Sequence, residues 1–98
     1  MTSKQRSYLK SLAMNLDPIF QVGKGSVTDE MVDAISEALE ARELIKLNVL
    51  KNCLDNPKEI AGVIAEHTHS EVVQVIGRKI VLYKQAYEPE KRKIVLPK

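Results

Sequence analysis

Aromatic side chains are scarce in this sequence, with three tyrosines, one phenylalanine and no tryptophan. Stacking on bases or planar ligands is therefore not expected to be its main mode of binding. A single cysteine, Cys53, excludes an internal disulfide, and it has no evident base partner that would make it a nucleophile. No apolar run is long enough for a secretion signal or a membrane span, so a soluble cytoplasmic protein is expected. His67 and His69, with Glu66 and Glu71 nearby, are the only histidines, and a helix-end turn accounts for them better than a metal site. No catalytic constellation and no cofactor motif is present, and an enzyme is not expected.

What is present is enough aliphatic material for one core. The chain has 98 residues, of which 44% are hydrophobic, mostly Val, Ile, Leu and Ala. A chain of this size buries roughly two-thirds of the surface it would expose unfolded, as one compact domain. Of the aromatics, Tyr8 and Phe20 are expected in the core, while Tyr83 and Tyr87 could also stack.

The net charge of +2 conceals a segregation along the chain. Residues 1 to 27 set Lys4, Arg6, Lys10 and Lys24 against Asp17; residues 28 to 77 carry ten acids against four bases; residues 78 to 98 carry seven bases against Glu88 and Glu90. If the two ends meet in the fold, one face is basic and suits a polyanion, through phosphate neutralisation and counterion release. The plainer alternative is that terminal charges are solvated tails.

Local signals give the order of elements. Thr2 and Gln5 fit a capping box, and Tyr8, Leu9, Leu12, Ala13 and Leu16 recur at helical spacing, which predicts a helix over 3 to 15 ended by Asp17-Pro18. PIFQV is a short strand. Met31, Val32, Ile35, Ala38 and Leu39 mark a second helix, with Ser26 and Asp29 as its capping pair and Asp29, Glu30, Asp33, Glu37 and Glu40 on its exposed side. LIKLNVL is apolar on both faces and reads as an interior strand. Asn56, Pro57 and Glu59 start a third helix that runs to about His67. EVVQVIGRKIVLY is two strands joined at Gly77-Arg78, where a type II′ turn fits. The rest, AYEPEKRKIVLPK, reads as a mobile or loosely docked tail.

The expected architecture is α/β, a single compact domain in the order α-β-α-β-α-β-β, with a mixed four-stranded sheet packed with helices. Both strand-helix-strand crossovers are expected to pair neighbouring strands in parallel, with the hairpin adding one antiparallel strand.

VGKGSV, residues 22 to 27, sits where the first strand ends and the second helix begins. Glycines there either satisfy turn geometry or let a ligand's backbone approach closely, with Lys24 adding charge and the first N–H groups of the second helix meeting a phosphate. The spacing fits neither a P-loop nor a dinucleotide fingerprint. A GxxG-type loop between strand and helix is, however, how KH-like modules clamp a nucleic-acid backbone.

Taken together, KQRSYLKSLAMNLDPIFQVGKGSVT, EALEARELIKL and EVVQVIGRKIVLYK resemble the CRM domain, named for chloroplast RNA splicing and ribosome maturation, and in particular its bacterial single-domain form, the YhbY-like RNA-binding proteins. The resemblance covers nearly the whole chain. It implies a fold similar to the C-terminal domain of translation initiation factor three and a GxxG loop that contacts RNA. It also implies a partner in ribosomal RNA, within precursors of the large subunit. Carried over by position, the loop is Gly23, Lys24, Gly25 and Ser26, with Ser26 in place of the family's usual last glycine. The family's basic residues fall on Lys4, Arg6, Lys10, Arg78 and Lys79. The CRM domain would then occupy residues 1–87, followed by a basic tail over 88–98, in a protein that acts as a monomer. The alternative is a protein-protein module whose acidic second helix docks a basic ribosomal protein or assembly factor.

Overall fold

In the computed structural model, which describes all residues 1–98, the second strand shows most directly how sequence pattern becomes architecture. β2 (Leu44–Val49) alternates, and its two sets of side chains enter two separate cores. Ile45, Leu47 and Val49 join a cluster with Ile35, Leu39, Ile60 and Ile64, whereas Leu44 joins Leu9, Ala13, Val73, Val81 and Tyr83. A strand with period two can serve both faces only from the interior of a sheet covered on both sides.

The covering helices are α1 (Ser3–Ala13) on one face and α2 (Asp29–Arg42) with α3 (Pro57–Thr68) on the other. Each starts where a side chain satisfies a free N–H. Thr2 and Gln5 close a reciprocal capping box on α1; Asn56 accepts from the Lys58 N–H at α3, with Pro57 at the first helical position. At α2 the cap is Thr28, which accepts from the Met31 N–H at 3.2 Å, and not the expected Ser26. Ser26 is taken up instead by the turn before it.

The sheet adds β1 (Phe20–Val22), β3 (Glu71–Ile76) and β4 (Lys79–Tyr83), in the spatial order β1-β2-β4-β3. The parallel β1–β2 pair and the antiparallel β3–β4 hairpin match expectation. The expected parallel pairing of β2 with β3 is corrected, because β4 lies between them, antiparallel to both. The reason is burial: Ile80, Val81, Leu82 and Tyr83 are all buried and need cover on both faces, whereas β3 carries exposed Glu71 and Ile76 and suits an edge. Gly77 takes φ 57 at the first turn position while Arg78 keeps a negative φ, as a type II′ turn requires.

Of the two states expected of the tail, mobile or loosely docked, it takes the docked one. Residues after Tyr83 fold back across the end of α2 through a 3-10 turn at Pro89–Lys91, and Ile94 and Leu96 pack against the core under α1. Glu43, buried with φ 66, holds this segment: its carboxylate accepts N–H groups from Ala86 at 2.9 Å, Lys93 at 2.6 Å and Ile94 at 3.0 Å. Glu40 accepts from Tyr87 and Glu88, and Gln5 Nε2 donates to the Pro97 carbonyl, closing the strap onto α1. The tail is docked by these named contacts. Tyr83 and Phe20 pack as core residues, but Tyr8 is 39% exposed and leaves the core expected of it. No helix is long and apolar enough to cross a membrane.

Candidate nucleic-acid interface

The loop after β1 is a tight turn. The Ser26 N–H donates to the Gly23 carbonyl at 2.9 Å, which places Lys24 and Gly25 at the two central positions, both exposed. Neither central residue has a positive φ. A turn of that kind admits most residue types, so its geometry does not demand glycine. Steric crowding does not demand it either. A Cβ on Gly25 would meet nothing within 4 Å, and one on Gly23 would make ordinary contacts with Leu50 Cδ1 at 3.5 Å and Asn52 Oδ1 at 3.7 Å. The residue that does take a left-handed backbone is Ser26, at φ 55. This is the position where the resemblance leads one to expect glycine, the residue such a backbone favours.

The helix behind the loop does not supply the expected phosphate site. The α2 N-terminus begins at Asp29, three residues past the turn; its Met31 N–H is already held by Thr28, and Asp29 and Glu30 fill its first turn. Those carboxylates favour the helix dipole and repel a phosphate there.

Several strand ends converge beside the loop. The Leu50 N–H donates to the Val22 carbonyl and the Val49 N–H to the Arg78 carbonyl, while Arg78 Nη1 donates to the Leu50 carbonyl at 3.0 Å. Lys24, Lys51, Arg78 and Lys79 therefore share one end of the sheet. From there an open cleft of about 570 Å³ runs along the sheet beside α1, lined by Lys10, Lys46 and Lys79 with Ser7, Gln74 and Ile76. The only ion pair in the chain is Lys91 with Glu88 at 3.7 Å, so none of these cations is neutralised by a carboxylate within 4 Å.

The other residues expected on this surface divide. Lys10 lines the cleft; Lys4, six residues earlier on α1, projects from a different side of the helix. Arg6 directs Nη1 to the carbonyls of Val72 and Val73, the latter at 3.1 Å, where β3 bulges between Val72 and Gln74. Its guanidinium closes a gap in the ladder.

The two chain ends do meet, yet they do not pool their bases. Lys91, Arg92 and Lys93 lie with the strap beside Glu40 and Glu43, while Arg78 and Lys79 are at the opposite end of β4, where Lys79 is about 13 Å along the strand from Tyr83. The cleft draws instead on Lys46, and the loop end of the sheet on Lys51, neither of which had been singled out. Period two was the signal for Lys46: Gln21, Lys46, Asn48, Gln74 and Lys79 all fall on the α1 side of their strands. The exposed acids of α2, including Asp33 and Glu37, belong to the layer on the other face.

Residues 1–84 match the family model of the CRS1 / YhbY (CRM) domain. The chain is 50% identical over 97 residues to the Bacillus subtilis protein named Probable RNA-binding protein YqeI, covering 99% of each. It is 34% identical over 98 residues to a Haemophilus influenzae protein named RNA-binding protein, covering all of this chain and 96% of that one. The solution structure of the hypothetical protein SAV1595 from Staphylococcus aureus superposes with a TM-score of 0.79 at 49% identity, covering 99% of both chains.

Proposed function

Because the chain belongs to the CRS1 / YhbY (CRM) domain family, we propose that it is an RNA-binding protein of ribosome assembly, which associates in the cytoplasm, as a single chain, with ribosomal RNA in precursors of the large subunit. The turn Gly23-Lys24-Gly25-Ser26 lies against the RNA backbone in the manner of a KH-like loop. Lys24, Arg78 and Lys79 supply charge at that end of the sheet, and Lys10 extends it along the cleft. Lys4 and Arg6 are more remote, and Arg6 acts chiefly by holding the β3 bulge. Residues 1–87 form the binding unit, and 88–98 are a strap that braces it.

One observation carries this reading: Gly23 and Gly25 are glycines in a turn that requires none, with open space where the Gly25 side chain would be. A missing side chain with no internal reason is accounted for by close contact with something outside, and the unpaired lysines beside it favour an anion. The relatives named as RNA-binding proteins agree with that chemistry. The alternative, docking of a basic protein on the acidic second helix, is weakened because Glu40 is engaged with the Tyr87 and Glu88 N–H groups, leaving Asp29, Glu30, Asp33 and Glu37.

Sedimentation of a gentle lysate through a gradient at low and at high salt tests the assignment. Migration with large-subunit precursors at low salt, lost at high salt, is the expected result. Residence among free proteins at both salts, with assembly intermediates present, would remove the ribosomal assignment.

A further inference from the structure

Gln21, Asn48 and Lys79 stand side by side across β1, β2 and β4 on the α1 face of the sheet, and the hydrogen bonds between them run in one direction. Lys79 Nζ donates to Asn48 Oδ1 at 3.0 Å, and Asn48 Nδ2 donates to Gln21 Oε1 at 2.9 Å. The chain of donors orients both amides. Each amide oxygen is engaged inside the row, so what the row offers outward is N–H groups from the ammonium, from Asn48 and from Gln21 Nε2. Adjacent strands lie about 4.8 Å apart, so the row spans about 10 Å of the sheet. Lys46, paired across from Val81, adds a second ammonium one step along the strands.

This donor-rich surface has no ring to stack on. Tyr83 is buried, Phe20 packs on the opposite face, and neither Tyr8 nor Tyr87 lines the cleft. Unpaired RNA is held largely by stacking its bases on aromatic side chains, whereas double-helical RNA offers a wide, shallow minor groove edged by phosphates and lined with 2′-hydroxyls and base acceptors.

Resting on the RNA-binding reading above, we propose that this open half of the sheet is a contact surface for double-helical RNA. Lys46 and Lys79 meet phosphates at the groove edge, and Gln21 and Asn48 donate to ribose hydroxyls and acceptors within it. The glycine loop, at the same end of the sheet, grips the adjoining backbone.

The test uses the full chain at one fixed salt concentration with three probes: an RNA duplex of about 16 base pairs, either of its strands alone in an unstructured sequence, and the DNA duplex of the same sequence. The RNA duplex is expected to bind about tenfold or more tightly than the single strand or the DNA duplex, which lacks the 2′-hydroxyl. Gln21→Glu puts an acceptor where the surface presents a donor, at an exposed edge position, and should lower duplex affinity about tenfold with thermal unfolding unchanged. Lys46→Gln should lower it in the same direction. A single strand bound as tightly as the duplex, or Gln21→Glu binding like the parent, overturns the inference while the RNA-binding reading stands. Equal affinity for the DNA duplex overturns the ribose contact. If none of the three probes binds, the RNA-binding reading itself fails.

Discussion

The carboxylate of Glu43 accepts the backbone N–H of Lys93 at 2.6 Å, fifty residues along the chain, and this bond anchors the strap that closes the domain. Glu43 is buried and takes φ 66, a backbone conformation that costs a non-glycine residue about 1–3 kcal/mol. The three N–H groups it satisfies offset that strain. Replacing Glu43 by Gln removes the charge and sets an amide N–H against those donors. Loss of about 2–3 kcal/mol is expected, read as a lower unfolding temperature and faster amide exchange at Lys93 and Ile94. Unchanged exchange at those two amides would show that the strap is held by Ile94 and Leu96 alone.

The same contacts set a pH dependence. Burial acts to raise the Glu43 carboxyl, but N–H groups from Ala86, Lys93 and Ile94, with Arg92 nearby, hold it below the ordinary value of 4.5. Hydrogen bonds from the Tyr87 and Glu88 N–H groups lower Glu40 likewise. A carboxyl with a depressed native pKa contributes stability that is present above its unfolded value and lost as pH falls through the native one. The difference in unfolding temperature between the parent and Glu43→Gln should therefore be constant near neutrality and shrink as pH falls below 4.5. A difference that persisted in acid would assign the effect to shape, not charge.

Gly25→Ala tests whether the loop glycines serve close approach. Gly25 has no positive φ and an added methyl meets nothing within 4 Å, so stability should change by no more than about 0.5 kcal/mol. RNA affinity should fall roughly fivefold, about 1 kcal/mol, because the methyl stands where the backbone of the ligand would lie. Full affinity in a folded variant would return the glycines to being bystanders in a turn.

Ser26 offers the opposite case. Its φ of 55 lies where a side chain is strained by about 1–2 kcal/mol, while glycine's greater freedom when unfolded costs about 0.5–1 kcal/mol. Ser26→Gly should be neutral to slightly stabilising in denaturant titrations. A clear loss of stability would show that the serine hydroxyl makes a contact worth more than the strain.

Much of this was legible locally. The capping box of Thr2 and Gln5, the two-faced strand over Leu44–Val49 and the glycine of the β3–β4 turn are all short-range signals, and each element formed where they pointed. What was missed is long-range or competitive. Ser26 looked like the α2 cap, but it closes a turn with Gly23 and Thr28, two residues on, takes the cap instead. The insertion of β4 beside β2 follows from how completely IVLY is buried, a comparison between strands that crossover rules do not make. The strap was hidden because EPEKRK is polar, while its anchors, Glu43 and the pair Ile94 and Leu96, lie outside that run. At the site, charge segregation found Lys24, Arg78 and Lys79 but not Lys46, Gln21 or Asn48, whose significance comes from sharing one face of the sheet.

Lys24→Glu addresses the electrostatic part of the binding. Lys24 is exposed at the turn tip and has no carboxylate within 4 Å, so reversing its charge should leave the fold intact. RNA affinity should fall about tenfold, and the slope of log affinity against log salt should flatten by about 1, as one phosphate contact is lost. Asp33→Ala, on the helical layer of the opposite face, should leave both unchanged. The reverse pattern, with loss at Asp33 and none at Lys24, would favour a basic protein docked on α2.

Arg6 separates bracing from binding. Its Nη1 donates to the Val72 and Val73 carbonyls at the β3 bulge, so Arg6→Ala should destabilise the domain by about 1–2 kcal/mol. If bracing is its main role, RNA affinity measured well below the unfolding temperature should fall less than with Lys24→Glu, and the salt slope should stay near that of the parent. Arg6→Lys keeps the charge but carries it on a shorter side chain with a compact ammonium in place of the planar guanidinium whose Nη1 serves both carbonyls, so it should recover only part of the stability. A flattened salt slope in Arg6→Ala, restored in Arg6→Lys, would instead show that the residue meets a phosphate, and the RNA surface would then extend from the cleft along α1.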